Sequence, residues 1–407
     1  MIYVHVPFCR SFCTYCDFFS ERACPTEAYV DGVCREALER KDEIAATVAV
    51  DTLYIGGGTP SVLPLPYLAR IADACGGRHY EEWTVEVNPD DITPKYARGL
   101  RALGVNRVSM GVQSLDDGIL RWMNRRHDAD GARRAFRALR AAGFDNISID
   151  LIFGIGGLDD ATLRATLAEL LDWRPEHISA YQLSVEEGSM LGRMAREGRY
   201  TELPDEACAA QYYLICNMLR AAGYEHYEIS NWALPGRRAV HNSAYWTRAP
   251  YVGLGPGAHS LRCSPQRITT IPLHPQGTGG GPPETPWVAS LPCAPQRITT
   301  IPRSSEGRFS EVIDSQSIPN LHGADLHHGD TEGVDTEGLA KNGTREIRSW
   351  NSEELSGWTA TSEVLTEEEI REERIMLGLR TAEGIPGYGR IPEERWFVAD
   401  DIIASLL

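Results

Sequence analysis

Ile2-Tyr3-Val4-His5-Val6-Pro7 runs straight into Phe8-Cys9-Arg10-Ser11-Phe12-Cys13-Thr14-Tyr15-Cys16, and this passage decides the fold. Its first half is a short β-branched run closed by proline, the pattern of a buried strand. Its second half puts three thiols on one tight loop just past that strand. Soft thiolates so spaced select zinc or an iron–sulfur cluster. Three ligands are one short of closure. Zinc would need a fourth, for which His5 is the near candidate, whereas a cubane cluster would keep one iron open to a small molecule. The other cysteines, at 24, 34, 75, 208, 216, 263 and 293, are scattered and read as small core or surface residues. A disulfide framework is not expected at this chain length.

Outward from this loop the chain repeats one unit. Strand candidates fall at Ile2–Val6, Thr52–Ile55, Trp83–Val87, Arg107–Val112, Asn146–Phe153 and Ile178–Leu183. Helical patterns lie between and after them, at Thr26–Arg40, Pro94–Leu103, Asp130–Ala142, Ala161–Leu171 and Asp205–Ala222, several stopping at Gly104, Gly143 or Gly223. Six βα units in series imply a parallel sheet. Periodicity alone fits a partial (β/α)6 TIM-type barrel and a doubly wound sheet equally. The motifs favour the barrel, because chemistry there sits past the C-terminal ends of the strands. The cysteine loop follows the first strand. Leu53-Tyr54-Ile55-Gly56-Gly57-Gly58-Thr59-Pro60 ends the second, and its glycines let backbone approach a ligand closely.

The 407 residues carry a formal charge of −17, which argues against a non-specific nucleic-acid binder. A 42% hydrophobic and 24% charged composition is that of a globular protein. No signal-peptide pattern and no apolar run of about 18 residues is present, so a cytoplasmic protein without a membrane span is expected.

The combination of Tyr3-Val-His-Val-Pro-Phe-Cys9-x3-Cys13-x2-Cys16 with Gly-Gly-Gly-Thr-Pro resembles the radical S-adenosylmethionine proteins. More narrowly, it is similar to the branch holding oxygen-independent coproporphyrinogen III oxidases and the haem chaperones related to them. The likeness runs from residue 1 to about 260 and again, briefly, over 366–407. It implies a [4Fe–4S] cluster on Cys9, Cys13 and Cys16, whose open iron chelates the amino and carboxylate groups of S-adenosylmethionine. Reduction would then yield a 5′-deoxyadenosyl radical. Carried over by position, Tyr3, Tyr15, Gly57, Gly58, Thr59, Glu86, Gln113, Arg125 and Asp150 would line the S-adenosylmethionine site. Polar residues at strand ends are otherwise wasteful, which agrees with that assignment.

Two features divide the branch. Its oxidases carry a fourth cysteine where this chain has Phe18, and His241-Asn242-Ser-Ala-Tyr245-Trp246 matches the His-Asn-x-x-Tyr-Trp run of the haem chaperones. Imidazole is a common axial haem ligand, and Tyr and Trp can pack on a porphyrin. Asn242 is the candidate to orient the imidazole. The resemblance therefore implies a chaperone that binds haem through His241, Asn242, Tyr245 and Trp246. It would serve a haem-accepting protein, respiratory ones included, with an electron donor for the cluster. Decarboxylation of coproporphyrinogen III is the alternative, and a zinc-stabilised binding module is the alternative of another class.

The chain divides into a barrel over 1–225, a family-specific extension with the haem motif over 226–262, and a Gly/Pro-rich stretch over 263–350. A shortened helical region follows over 351–407. The third part contains Pro265-Gln-Arg-Ile-Thr-Thr-Ile-Pro272 and its copy at 295–302, and reads as a largely disordered insertion. In the last part, Thr366 and Glu369 form a capping-box pattern for a helix over Thr366–Arg380, and Phe397–Leu407 is a second amphipathic candidate. Two departures from the family pattern stand out: Gly156, where a proline is usual, and the shortness of the C-terminal region.

Overall fold

Six strands lie side by side in the order in which the chain makes them. They are β1 (Ile2–Val6), β2 (Thr52–Gly57), β3 (Glu82–Val87), β4 (Arg107–Gln113), β5 (Ile147–Phe153) and β6 (His177–Gln182), and each pairs with the next in parallel. Right-handed crossovers with no reversal of strand order put every connecting helix on one face. That excludes the doubly wound alternative and curls the sheet into part of a barrel. The computed structural model describes residues 1–47, 50–77, 79–262, 266–272, 358–385, 388–399 and 403.

Three more strands join the same sheet. β7 (Glu225–Glu228) and β8 (Asn231–Ala233) add antiparallel beyond β6, and β9 (Val252–Leu254) lies parallel against β1. Among the described residues the sheet ends at β7 and β9, which do not pair, so the barrel is partial.

The helices start where short polar side chains can accept from the first free amides. Thr26, Thr93, Asp128 and Asp159 each accept from the backbone N–H three residues on. Their helices span Glu27–Glu39, Pro94–Leu103, Ala129–Ala141 and Asp160–Trp173. Gly104, at φ 107°, ends the second of these.

Along β3 to β6 the side chains alternate. Trp83, Val85, Val108, Ile149 and Ile178 are fully buried in the apolar core. Their neighbours Thr84, Glu86, Arg107, Ser109, Ser148, Asp150, His177 and Ser179 are polar and lie on the other face of the sheet, the inside of the barrel. The lumen is therefore polar.

Beyond the barrel, β10 (His259–Leu261), β11 (Gln266–Pro272) and β12 (Trp358–Val364) form a three-stranded antiparallel sheet. The first copy of the repeat is thus a strand, which takes residues 266–272 out of the largely disordered insertion expected over 263–350. Its consecutive Ile268, Thr269, Thr270 and Ile271 suit a pleated ladder, and β12 supplies the partner from far along the sequence. The rest of the insertion, with the second copy, lies outside the described residues. The helix Glu367–Gly378 carries the expected capping box of Thr366 and Glu369. Of the Phe397–Leu407 candidate, only 397–399 and 403 are described, and residues 393–398 form a 3-10 turn. Among the described residues no helix is long and apolar enough to cross a membrane.

Candidate cofactor site

One cavity opens at the C-terminal ends of the strands and reaches down the polar lumen. Cys9, Cys13, Tyr15, Cys16, Gly57, Gly58, Thr59, Glu86, Gln113, Arg125 and Asp150 all line it. The strand contributions follow the period of two: Arg107, Ser109, Gly111 and Gln113 from β4, Asp150 and Ile152 from β5, His177, Ser179 and Tyr181 from β6.

The cysteine loop is held at several points. Cys9 N–H donates to Glu21 O at 2.9 Å, Thr14 N–H to Met123 O at 3.0 Å, and Leu191 N–H to Thr14 O at 2.8 Å. Asn124 Nδ2 donates to Phe12 O at 2.7 Å. His5 sits beneath the loop. Its Nε2 is 2.8 Å from Phe19 O, and a carbonyl can only accept, so Nε2 carries the proton. Nδ1 then accepts from the Tyr3 hydroxyl at 3.0 Å. Both ring nitrogens are committed, which removes the fourth ligand on which a zinc site was to depend.

Gly58 has to be glycine for the cysteines to sit here. A Cβ on it would lie 3.0 Å from Cys9 Sγ and from the carbonyl oxygens of Val6 and Phe8. Gly57, at φ 109°, would direct a Cβ into the His5 ring at 2.8 Å. Cys9 Sγ lies 3.4 Å from Thr59 Oγ1, and Arg125 Nη1 donates to Cys13 Sγ at 3.4 Å. Burial, followed by the neighbouring Cys13 sulfur, pushes the Cys16 thiol up to about 12, and burial also raises Cys9. These thiols give up their protons readily only to a metal centre. The donor set and the close-packed glycines fit a cluster bound by three cysteines.

The rim also fits a cationic amino-acid ligand. Glu86 accepts from Tyr54 Oη at 2.7 Å and from Gly57 N–H at 3.1 Å, and burial raises its carboxyl to about 8. Asp150 accepts from Ser109 Oγ at 3.1 Å and is also raised, chiefly by burial. Gln113 stands at a register shift between β4 and β5 with a positive φ of 66°, and its Oε1 is buried without a hydrogen-bond partner. A strained residue holding an orphan acceptor at a cavity wall is what a ligand donor would relieve. Arg125 Nη2 donates to Gly111 O at 2.6 Å and to Asn88 Oδ1. Asn88 and Tyr54 were not singled out by sequence, although Asn88 shares the Val-Glu-Val-Asn-Pro run with Glu86.

Tyr3 does not line the cavity. It packs on Tyr54, which does, at 6.1 Å between ring centroids. Of the haem quartet only Asn242 reaches the cavity. His241, Tyr245 and Trp246 lie on the helix Val240–Trp246, buried against the base of β2 and β3. The N–H groups of Val240 and His241 donate to the Glu82 carboxylate at 2.8 and 3.0 Å. His241 is 1% exposed, with Nδ1 at 2.8 Å from Thr52 Oγ1 and Nε2 at 3.0 Å from Tyr245 Oη. Asn242 was expected to orient this ring; Tyr245 does so instead, because residues four apart share a helix face and adjacent ones do not. Asn242 Nδ2 points to Tyr227 Oη at 3.5 Å and its Oδ1 has no partner. At Gly156 the missing proline leaves an N–H that donates to Tyr200 Oη at 3.0 Å.

Comparison with known proteins agrees with this geometry. Residues 3–170 match the model of the radical SAM superfamily. The haem chaperone HemW of Bacillus subtilis is 35% identical over 280 residues, covering 67% of this chain and 73% of that protein. HemW of Mycobacterium tuberculosis is 37% identical, covering 63% and 68%, and HemW of Escherichia coli is 34% identical, covering 68% and 74%. Among solved structures, the radical SAM enzyme coproporphyrinogen III oxidase (HemN) of Escherichia coli aligns with a TM-score of 0.54 over 66% of each chain. At 22% identity that likeness speaks to fold alone. The chain belongs to the radical SAM superfamily and, within it, to the family of the HemW haem chaperones.

Proposed function

We propose that this protein binds haem and delivers it to an acceptor protein, with a [4Fe–4S] cluster and S-adenosylmethionine held in the same barrel. The observation that carries the reading is that the cofactor cavity and the His-Asn-x-x-Tyr-Trp helix meet. Asn242 lines the cavity that the three cysteines line. Phe18, in place of a fourth cysteine, favours haem handling over porphyrinogen oxidation.

Cys9, Cys13 and Cys16 would hold the cluster, which would supply a binding place and an electron for S-adenosylmethionine. The protein's own residues then bind and orient. Glu86, on giving up its proton, and Asp150 would face the ligand's positive charge, Gln113 Oε1 would accept from a ligand donor, and Arg125 braces Cys13 against β4. His241 would supply the imidazole for haem, and its Nε2 contact with the Tyr245 hydroxyl would have to open first. Haem binding is thereby coupled to a movement of the Val240–Trp246 helix. The haem acceptor and the electron donor are proteins that meet this molecule at its surface.

Haem titration of the anaerobically reconstituted protein tests this. A stable complex should form and should weaken at least about tenfold, or about 1.4 kcal/mol, in His241→Ala. Because His241 is buried, Tyr245→Phe is the second variant: it frees Nε2 while keeping the ring, and should bind haem at least as well as the native chain. An unchanged affinity in His241→Ala, or conversion of coproporphyrinogen III to protoporphyrinogen, would overturn the reading.

A further inference from the structure

Far from the cluster, three residues from distant parts of the chain converge. Cys216 lies on the helix Asp205–Ala221, His226 on the outermost strand β7, and Glu393 opens the C-terminal 3-10 turn Glu393–Val398. Their Sγ, ring-nitrogen and carboxylate-oxygen atoms all lie within 4.8 Å of one another. We propose that they form a zinc site that clips the C-terminal segment to the edge of the barrel.

The His226 ring carries the argument. Its Nε2 is 3.1 Å from the carbonyl oxygen of Ile229, which can only accept, so Nε2 bears the proton. In the neutral ring Nδ1 is then a bare lone pair. It faces Glu393 Oε1 at 2.8 Å, one acceptor against another. A proton shared with the carboxylate fills that place in the metal-free protein. A metal ion that replaces it would find Nδ1, Oε1 and Cys216 Sγ already gathered. The ring is fixed for this, stacked on Trp232 at 4.1 Å between centroids and an interplanar angle of 12°, and edge-on to Trp396 at 4.3 Å.

The rest of the site is built as zinc sites are. Sulfur, imidazole and carboxylate are its three usual donor types. The remote nitrogen of the ligating histidine is fixed by a backbone carbonyl, the usual outer partner. The carboxylate is held from the solvent side by Arg220 Nη2, 2.6 Å from Oε1, and Arg220 is 55% exposed and free to shift to the other oxygen. Tetrahedral zinc at about 2.0–2.3 Å from each ligand needs donor separations of about 3.5 Å, so only small adjustments are required. Water completes the fourth position. Binding releases to solvent the Cys216 thiol proton and the proton between His226 Nδ1 and Glu393 Oε1, and involves no change of oxidation state.

The test uses the cluster-loaded protein, so that Cys9, Cys13 and Cys16 are occupied. Metal analysis after dialysis should give about one zinc per chain in addition to iron. Cobalt in place of zinc should produce a thiolate-to-metal absorption band that is lost in Cys216→Ser and kept in Cys24→Ser. Glu393→Gln, which leaves the buried cysteine untouched, should weaken cobalt binding at least about tenfold. Zinc should also slow proteolysis of the C-terminal segment. Failure of the native protein to retain either metal, or a band that persists in Cys216→Ser, would overturn the proposal.

Discussion

Glu86 shows how a single residue links the lumen to the ligand. Its raised carboxyl, about 8 against 4.5 for a free side chain, comes first from burial and then from Asp150, while Tyr54, Gly57 and Arg107 oppose it. Between those values the folded protein holds a proton that the unfolded chain has lost. The contribution of Glu86 to the stability of the cofactor-free protein is therefore fully present below 4.5 and is lost as pH rises through about 8. Asp150, raised in the same direction, adds to the fall. Urea midpoints at pH about 5 and about 8 should show a smaller drop in Glu86→Gln than in the native protein; equal drops would refute this account. At this scale the three cysteines, the glycines and the polar strand ends were legible, because each is costly unless it serves a ligand. Asn88 and Tyr54 were not, since one asparagine or tyrosine near a strand has many uses. The enclosure of His241 was also hidden, because it depends on Thr52, a residue 189 positions away.

Elements announce themselves through their ends. Helix boundaries fell within a residue or two of expectation behind the caps Thr26, Thr93, Asp128, Asp159 and Thr366, whereas the short helix behind Asp116 was not foreseen. The C-terminal helix is the clearest case: Glu369 N–H donates to Thr366 Oγ1 at 3.2 Å, and the Glu369 carboxylate accepts from Thr366 N–H at 2.6 Å. Thr366→Ala should cost about 1 kcal/mol, read as a lower thermal or urea midpoint, and Thr366→Ser should restore most of it. The strand β11 was missed for the opposite reason. Its partner β12 lies beyond a long intervening stretch, and no local signal reports a ladder made with so distant a neighbour.

For the molecule as a whole, serial βα units gave the parallel sheet, but its closure on the β1 side could not be read from periodicity. β9 is three residues long, and it is tied in by a buried cation. Arg40, 9% exposed at its side chain, pairs with Glu36 and Glu43, donates from Nη1 to Gly253 O at 2.7 Å and from Nη2 to Ser260 Oγ at 3.0 Å. Arg40→Ala takes the buried cation away from both carboxylates, leaving Glu43 to Arg262 and Glu36 to the Gly255 N–H, and β9 loosely held. It should lower stability by about 3 kcal/mol in denaturant unfolding, while Arg70→Ala, at an exposed pair, should change it by less than about 1 kcal/mol. The pairing of β1 with β9 also sets a timetable for synthesis. Ile2 leaves the ribosome some 250 residues ahead of its neighbour Val252. Until then the strand that presents the cysteine loop has an open edge, and the loop waits half-framed. Metal delivery therefore belongs after residues 252–254 have left the ribosome, and a nascent chain stalled short of them should be the form most exposed to thiol oxidation.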